Sequence, residues 1–265
     1  MLVALPLVTL VLLALGGTLY VLRRRAAGAR PSARVLCWLA VPAAGLVLAA
    51  AWCALGLYEG GAAEMLVLCV AALVAGAAAL AREKFVAWVR SRGEGQPGGA
   101  APTRALVAVA AVLVCVVLGF LALELTYNAT APSIALNYAA IEMAIILGAT
   151  LVLFFLLQRR GAGPAIVVAL CWVIGLAQYF VARFKASAIL PNDLFVLETA
   201  AAVSGNYVYA VNGAVLMGLS CVMLASAAAS LVVAARAETS EGLARRTLVN
   251  LGCALAAIAA HEPVV

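Results

Sequence analysis

Four acids and one polar run hold most of the chemistry this sequence could perform. Glu59 and Glu64 share the short joint "YEGGAAE", where two carboxylates could serve as a base or a metal ligand. Glu124 and Glu142 lie inside long apolar runs, where an ionisable group is a functional candidate by default. Both sit near the ends of their runs, close enough to snorkel to water. The polar run is "FKASAILPNDLFVLETAAAVSGNY", Phe184 to Tyr207. In and beside it, Arg183, Lys185, Asn192, Asp193 and Asn206 are the candidates for holding an anionic lipid head group or docking a neighbouring domain.

Other chemistries lack their parts. His261 is the only histidine and Asp193 the only aspartate, whereas a catalytic metal centre draws several such ligands. No metal site and no catalytic residue is therefore assigned. The seven cysteines are scattered without a C-x-x-C pair and read as small packing residues. Neither a Ser-His-Asp set nor a phosphate-cradling glycine loop can be assembled.

The elements that must position these groups are membrane helices. Hydrophobic residues make up 67% of the 265-residue chain and charged residues 11%, against roughly 45–50% and about 25% in soluble domains. The net charge of +6 is then a matter of sidedness and not of nucleic-acid binding. Crossing the hydrocarbon core takes about 20 apolar residues. On that rule helices are expected near 2–22, 35–57, 63–81, 105–126, 139–157, 164–182, 213–235 and 247–263, the last being the shortest and running into His261 and Glu262. Continuous apolar runs without period-2 alternation exclude a barrel. The expected fold is all-α: a polytopic helical membrane protein with about eight transmembrane helices, forming one transmembrane domain over 1–265. A short outer interfacial helix is expected near 192–204, begun by Pro191-Asn192-Asp193 and closed by Gly205.

Sidedness follows from the cations. Of the 17 Lys and Arg, all but Arg183 and Lys185 fall in alternate joints, and positively charged loops stay cytoplasmic. This places the N-terminus outside and, with eight crossings, the C-terminus too. Tyr58, Tyr127, Tyr138, Tyr179, Tyr207 and Tyr209 fall at the expected outer edges, as an interfacial aromatic belt does. Met1 to Leu22 carries its cations after the apolar run, so it reads as a first anchor and not as a signal peptide. The joint 90–104 reads as a flexible Gly/Pro-rich loop.

Residues 177–207 resemble the juxtamembrane signature of lipoteichoic acid synthase-type phosphoglycerol transferases, members of the sulfatase/alkaline-phosphatase-like superfamily. The matching order is a span ending "AQYFVAR", a basic residue, Ile189-Leu190-Pro191-Asn192-Asp193-Leu194, then Thr199-Ala200-Ala201 through Asn206-Tyr207. The resemblance implies a bacterial cell-membrane anchor in cell-envelope polymer or glycolipid synthesis. Its implied partners are membrane lipids, phosphatidylglycerol among them, and a sulfatase-like catalytic domain with a threonine nucleophile. A divalent metal, often manganese, is implied only for that domain, and no cofactor for residues 1–265. Because the sequence stops at Val265, where the resemblance places the catalytic domain, the expectation is an anchor without it. Two readings of other classes stand beside this one: a small multispanning transporter using Glu124 and Glu142, and a lipid-linked glycosyltransferase using Glu59 and Glu64.

Overall fold

A computed structural model describes residues 2–92, 101–128, 134–185, 209–233 and 240–259. Among them the protein is all-α, with eight helices: α1 (Ala4–Ala26), α2 (Ala33–Ala54), α3 (Ala62–Ser91), α4 (Ala101–Tyr127), α5 (Leu136–Leu156), α6 (Ala162–Lys185), α7 (Gly213–Ser230) and α8 (Ser240–Ala259). The first seven are long and apolar enough to cross a membrane. In α8 the apolar part is shorter, Thr247–Ala259. The expected interfacial helix near 192–204, with Asn192, Asp193 and Asn206, lies outside the described residues, as does His261.

Helix ends differ from the hydropathy reading for identifiable reasons. α3 runs on past Ala81 to Ser91, because cations end a hydrophobic run without ending a helix. At 1.5 Å per residue its 30 residues reach about 45 Å, well beyond a hydrocarbon core of roughly 30 Å. Both ends of the loop expected at 90–104 are likewise helical, since α3 runs to Ser91 and α4 starts at Ala101. α2 stops at Ala54 and not at 57. Gly56 takes φ +69, its amide donates to the Cys53 carbonyl, and the Leu57 amide donates to the Trp52 carbonyl, which together make a Schellman stop. α1 ends the same way on Gly28.

The bundle is organised around α7. It packs against α2, α3, α4 and α6, while α1 leans on α2 and α3, and α8 packs on α5. Of its span, 72% is buried, against 17% for α1 at the edge. Small residues make this possible. Gly218 lets the Thr126 hydroxyl and the Trp172 ring approach the α7 backbone, and Gly161 lies directly against the Ala229 carbonyl. Buried hydroxyls on α7 donate to their own helix: Ser220 to the Leu216 carbonyl at 2.8 Å, Ser226 to Met223 at 2.6 Å and Ser230 to Ala227 at 2.7 Å. No polar group there is left wanting a partner in lipid. Two apolar cores flank the seam. Leu46, Met65, Leu68, Leu216 and Met223 fill one, and Val112, Ile146, Phe154 and Val167 fill the other. The seven cysteines are all free thiols.

Candidate functional site

At one end of the bundle, the joint after α2, the start of α3, the last turns of α6 and the lead-in to α7 meet. The link between α2 and α3 docks on the strand-like lead-in to α7. The Glu59 amide donates to the Val211 carbonyl at 2.8 Å, and the Val211 amide donates to the Leu57 carbonyl at 2.7 Å, making a parallel bridge between Tyr58 and Val211. The glycines of "YEGGAAE" serve this close approach. A Cβ on Gly60 would stand 2.7 Å from the Gly213 amide nitrogen, and one on Gly213 would stand 2.5 Å from Cγ of Glu64.

Arg183, in the last turn of α6, closes the cluster. Its Nη2 donates to Glu59 Oε2 at 2.8 Å, and its Nη1 donates to the Tyr179 hydroxyl at 2.9 Å and the Ala210 carbonyl at 3.2 Å. Tyr179 also donates to that carbonyl, at 3.3 Å. Phe180, Phe184 and Tyr209 pack ring on ring beside it, Phe184 and Tyr209 with centroids 5.6 Å apart. The chain therefore leaves α6 and rejoins the bundle at the same place, and both feet of segment 186–208 are held there. Arg183 was expected to face lipid or a domain; the structure gives it an intramolecular partner, Glu59. Lys185 is the last residue of α6.

The acids of the loop are similarly engaged. The Gly61 amide donates to Glu64 Oε2 at 3.1 Å, which supports the start of α3 where Gly61 has no side chain to do so. The Tyr58 hydroxyl donates to the Gly61 carbonyl at 2.8 Å. Burial, and then the nearby charge of Glu64, push this phenol up to about 12. Asn212 caps α7, its Oδ1 accepting from the Ala214 amide at 3.1 Å. Among the described residues no three His, Cys, Asp or Glu side chains are grouped to hold a metal ion.

A second polar cluster lies at the same end, between α4 and α5. Glu124 does not snorkel: it is 5% exposed and accepts from the Tyr127 hydroxyl at 2.9 Å and from Asn128 Nδ2 at 2.7 Å. Glu142 lies near enough to feel the charge of Glu124, and its Oε1 is buried without a hydrogen-bond partner. Sequence reading named both acids, but nothing in their 18-residue separation showed that they would meet across two helices.

At the opposite end, three of the arginines that mark sidedness gather around a cleft. Arg34 at the start of α2, Arg82 in α3 and Arg160 just before α6 line its mouth, and the cleft holds about 500 Å³. No hydropathy signal marks it. No family model, no curated protein and no solved structure matches this chain.

Proposed function

We propose that this chain is the membrane-anchor domain of a lipoteichoic acid synthase-type phosphoglycerol transferase, working in bacterial cell-envelope polymer or glycolipid synthesis. Supporting this is the anchoring of the family-like stretch 177–207: Arg183 holds its departure from α6 to Ala210 at its return, and Glu59 steadies the guanidinium from the neighbouring loop. On this reading the multi-span bundle positions the stretch at the outer surface. Catalysis belongs to a sulfatase-like domain with its divalent metal, and residues 1–265 contribute no catalytic group. Lys185, Asn192, Asp193 and Asn206 remain the candidates for contacting phosphatidylglycerol or that domain, with Arg183 at their base.

The experiment is phosphatidylglycerol binding by the purified chain, wild type against Arg183→Ala with Lys185→Ala. Each cation near an anionic surface contributes about 1 kcal/mol, so the pair should weaken binding several-fold while the bundle stays folded. Unchanged binding would reduce the stretch to a structural brace. The purified chain should not release or transfer the head group; turnover with manganese that survives Asp193→Ala and His261→Ala would overturn the division of labour. In a cysteine-free background, cysteines at 62 and 206 should react with an impermeant thiol reagent in intact cells and those at 28, 96 and 240 should not. Both termini are then extracytoplasmic, with α8 as an eighth crossing.

One observation favours a second reading, a transporter: the approach of Glu142 to the buried Glu124 within the membrane region. It requires that Glu142→Gln abolish uptake while the Arg183 and Lys185 alanines are tolerated.

A further inference from the structure

The cleft at the arginine-bearing end carries an inference independent of the phosphoglycerol reading. Its walls come from α2, α6 and α7 and are apolar: Val41, Ala165, Ile166, Ala169, Val222 and Ala229. At about 500 Å³ it falls within the roughly 300–1,000 Å³ usual for ligand pockets. Its mouth is the reverse, with three guanidinium groups from three separate joints.

These arginines have no acidic partner within ion-pair distance among the described residues, whose only such pairs are Arg24–Glu83 and Arg183–Glu59. The carboxylate nearest in sequence, Glu83, accepts from the Tyr20 hydroxyl at 2.9 Å and faces Arg24 at 3.8 Å. Arg82 is half-buried, feels like charge from Arg34 and Arg90 with Glu83 offsetting only part of it, and its Nε is buried with no hydrogen-bond partner. Such crowding of cations is unfavourable by itself and is relieved by an anion. The N-terminus of α6 adds a partial positive charge at the same mouth, where Gly161 and Ala162 line it.

We propose that this cleft binds one anionic glycerophospholipid, its phosphate held by Arg34, Arg82 and Arg160 and an acyl chain lying between α2, α6 and α7. The apolar walls select a lipid over a free phosphate, and the unpaired guanidinium groups select an anionic head group over a zwitterionic one. A lipid held here wedges α2 against α6, two helices that share α7 as their common neighbour.

The test is native mass spectrometry of the full chain in detergent with dioleoylphosphatidate, dioleoylphosphatidylcholine or soluble glycerol 3-phosphate. One phosphatidate should be retained in preference to phosphatidylcholine, and glycerol 3-phosphate should not be retained. Arg34→Gln and Arg160→Gln change exposed side chains; each should weaken phosphatidate retention about fivefold, and together with Arg82→Gln the loss should approach a hundredfold. Ala169→Phe, which fills the wall without touching charge, should also lower retention. The control is Arg23→Gln with Arg25→Gln on α1, which removes two charges outside the cleft, more than either single variant, and should leave retention unchanged. Equal loss in the control means a diffuse surface effect and overturns the site. Full retention in Ala169→Phe overturns the acyl-chain position, and tight binding of glycerol 3-phosphate overturns the lipid in favour of a free anion. A melting profile for each variant separates lost binding from lost folding.

Discussion

Arg183 and Glu59 are 124 residues apart in sequence and 2.8 Å apart in the structure. The pair ties the last turn of α6 to the joint between α2 and α3, and it is partly open to water, with side chains 38% and 52% exposed. An exposed ion pair contributes about 0–1 kcal/mol, so its charge attraction does little for global stability. Its geometry matters more, because the same guanidinium also reaches the Ala210 carbonyl and the Tyr179 hydroxyl. A double-mutant cycle should give a coupling below about 1 kcal/mol between Arg183→Ala and Glu59→Gln. Arg183→Ala alone should cost more than Glu59→Gln, and hydrogen exchange should show faster exchange at the Val211 amide in the arginine variant. Equal costs would mean that the Ala210 contact contributes nothing.

Gly213 is where the loop and the helix start touch most closely. A Cβ there would stand 2.5 Å from Cγ and 2.7 Å from Cδ of Glu64. Glu64 would have to swing away and give up the Gly61 amide that it accepts from at 3.1 Å. Gly213→Ala should therefore destabilise by about 1–3 kcal/mol, the usual range for overpacking. Gly252→Ala, with nothing within 4 Å of its Cβ position, should not destabilise. Thermal unfolding of the two variants in matched detergent checks the contrast.

Tyr58 adds a pH signature. Its phenol is raised from 10.0 to about 12, chiefly by burial and next by the charge of Glu64. The fold favours the neutral phenol, so the stability it contributes is fully present below pH 10 and is lost as pH climbs through about 12. Tyr58→Phe removes the donor to the Gly61 carbonyl and should cost about 0.5–1.5 kcal/mol at neutral pH. The phenolate absorbance difference between wild type and Tyr58→Phe should titrate near 12; a transition near 10 would mean that the hydroxyl is free in water.

Long apolar runs made the helices legible, because lipid leaves a backbone no alternative but to satisfy its own hydrogen bonds. Helix ends were less so. The helix of α3 passes through Arg82, Glu83 and Lys84 without a break, since a charged side chain can reach water from a continuous helix near the boundary. Gly60 permits close contact with the start of α7, since a Cβ there would stand 2.7 Å from the Gly213 amide nitrogen. Least legible was which joints become neighbours. Arg34, Arg82 and Arg160 each belong to a different joint, and only the gathering of helices around α7 puts them on one cleft. The pairing of Glu59 with Arg183, and the approach of Glu142 to Glu124, depend on helix order in the same way.

The turn between α5 and α6 stores strain that α8 helps to hold. Gln158 and Arg159 take φ 61 and 57, the left-handed region that costs a non-glycine residue roughly 1–2 kcal/mol. Gln158 occupies the position after the helix end that glycine usually fills, its amide donating to the Phe155 carbonyl at 3.1 Å, while the Arg159 amide donates to Phe154 at 2.7 Å. The side chains explain why glycine is not there. Arg159 Nε donates to Asn250 Oδ1 at 2.9 Å, and Asn250 Nδ2 donates to Gln158 Oε1 at 3.1 Å, with Asn250 only 1% exposed. These bonds dock α8, whose outer face is apolar at Leu248, Leu251 and Leu255. Asn250→Leu should cost about 1–3 kcal/mol by stranding its partners and should loosen α8, read as faster proteolysis between α7 and α8. In that background Gln158→Gly should restore about 1 kcal/mol, because the strained φ remains after the bond to Asn250 has gone. In the wild-type background the same glycine should gain less, since it also removes the acceptor for Asn250. A larger gain in wild type than in Asn250→Leu would show that the turn is not held through α8.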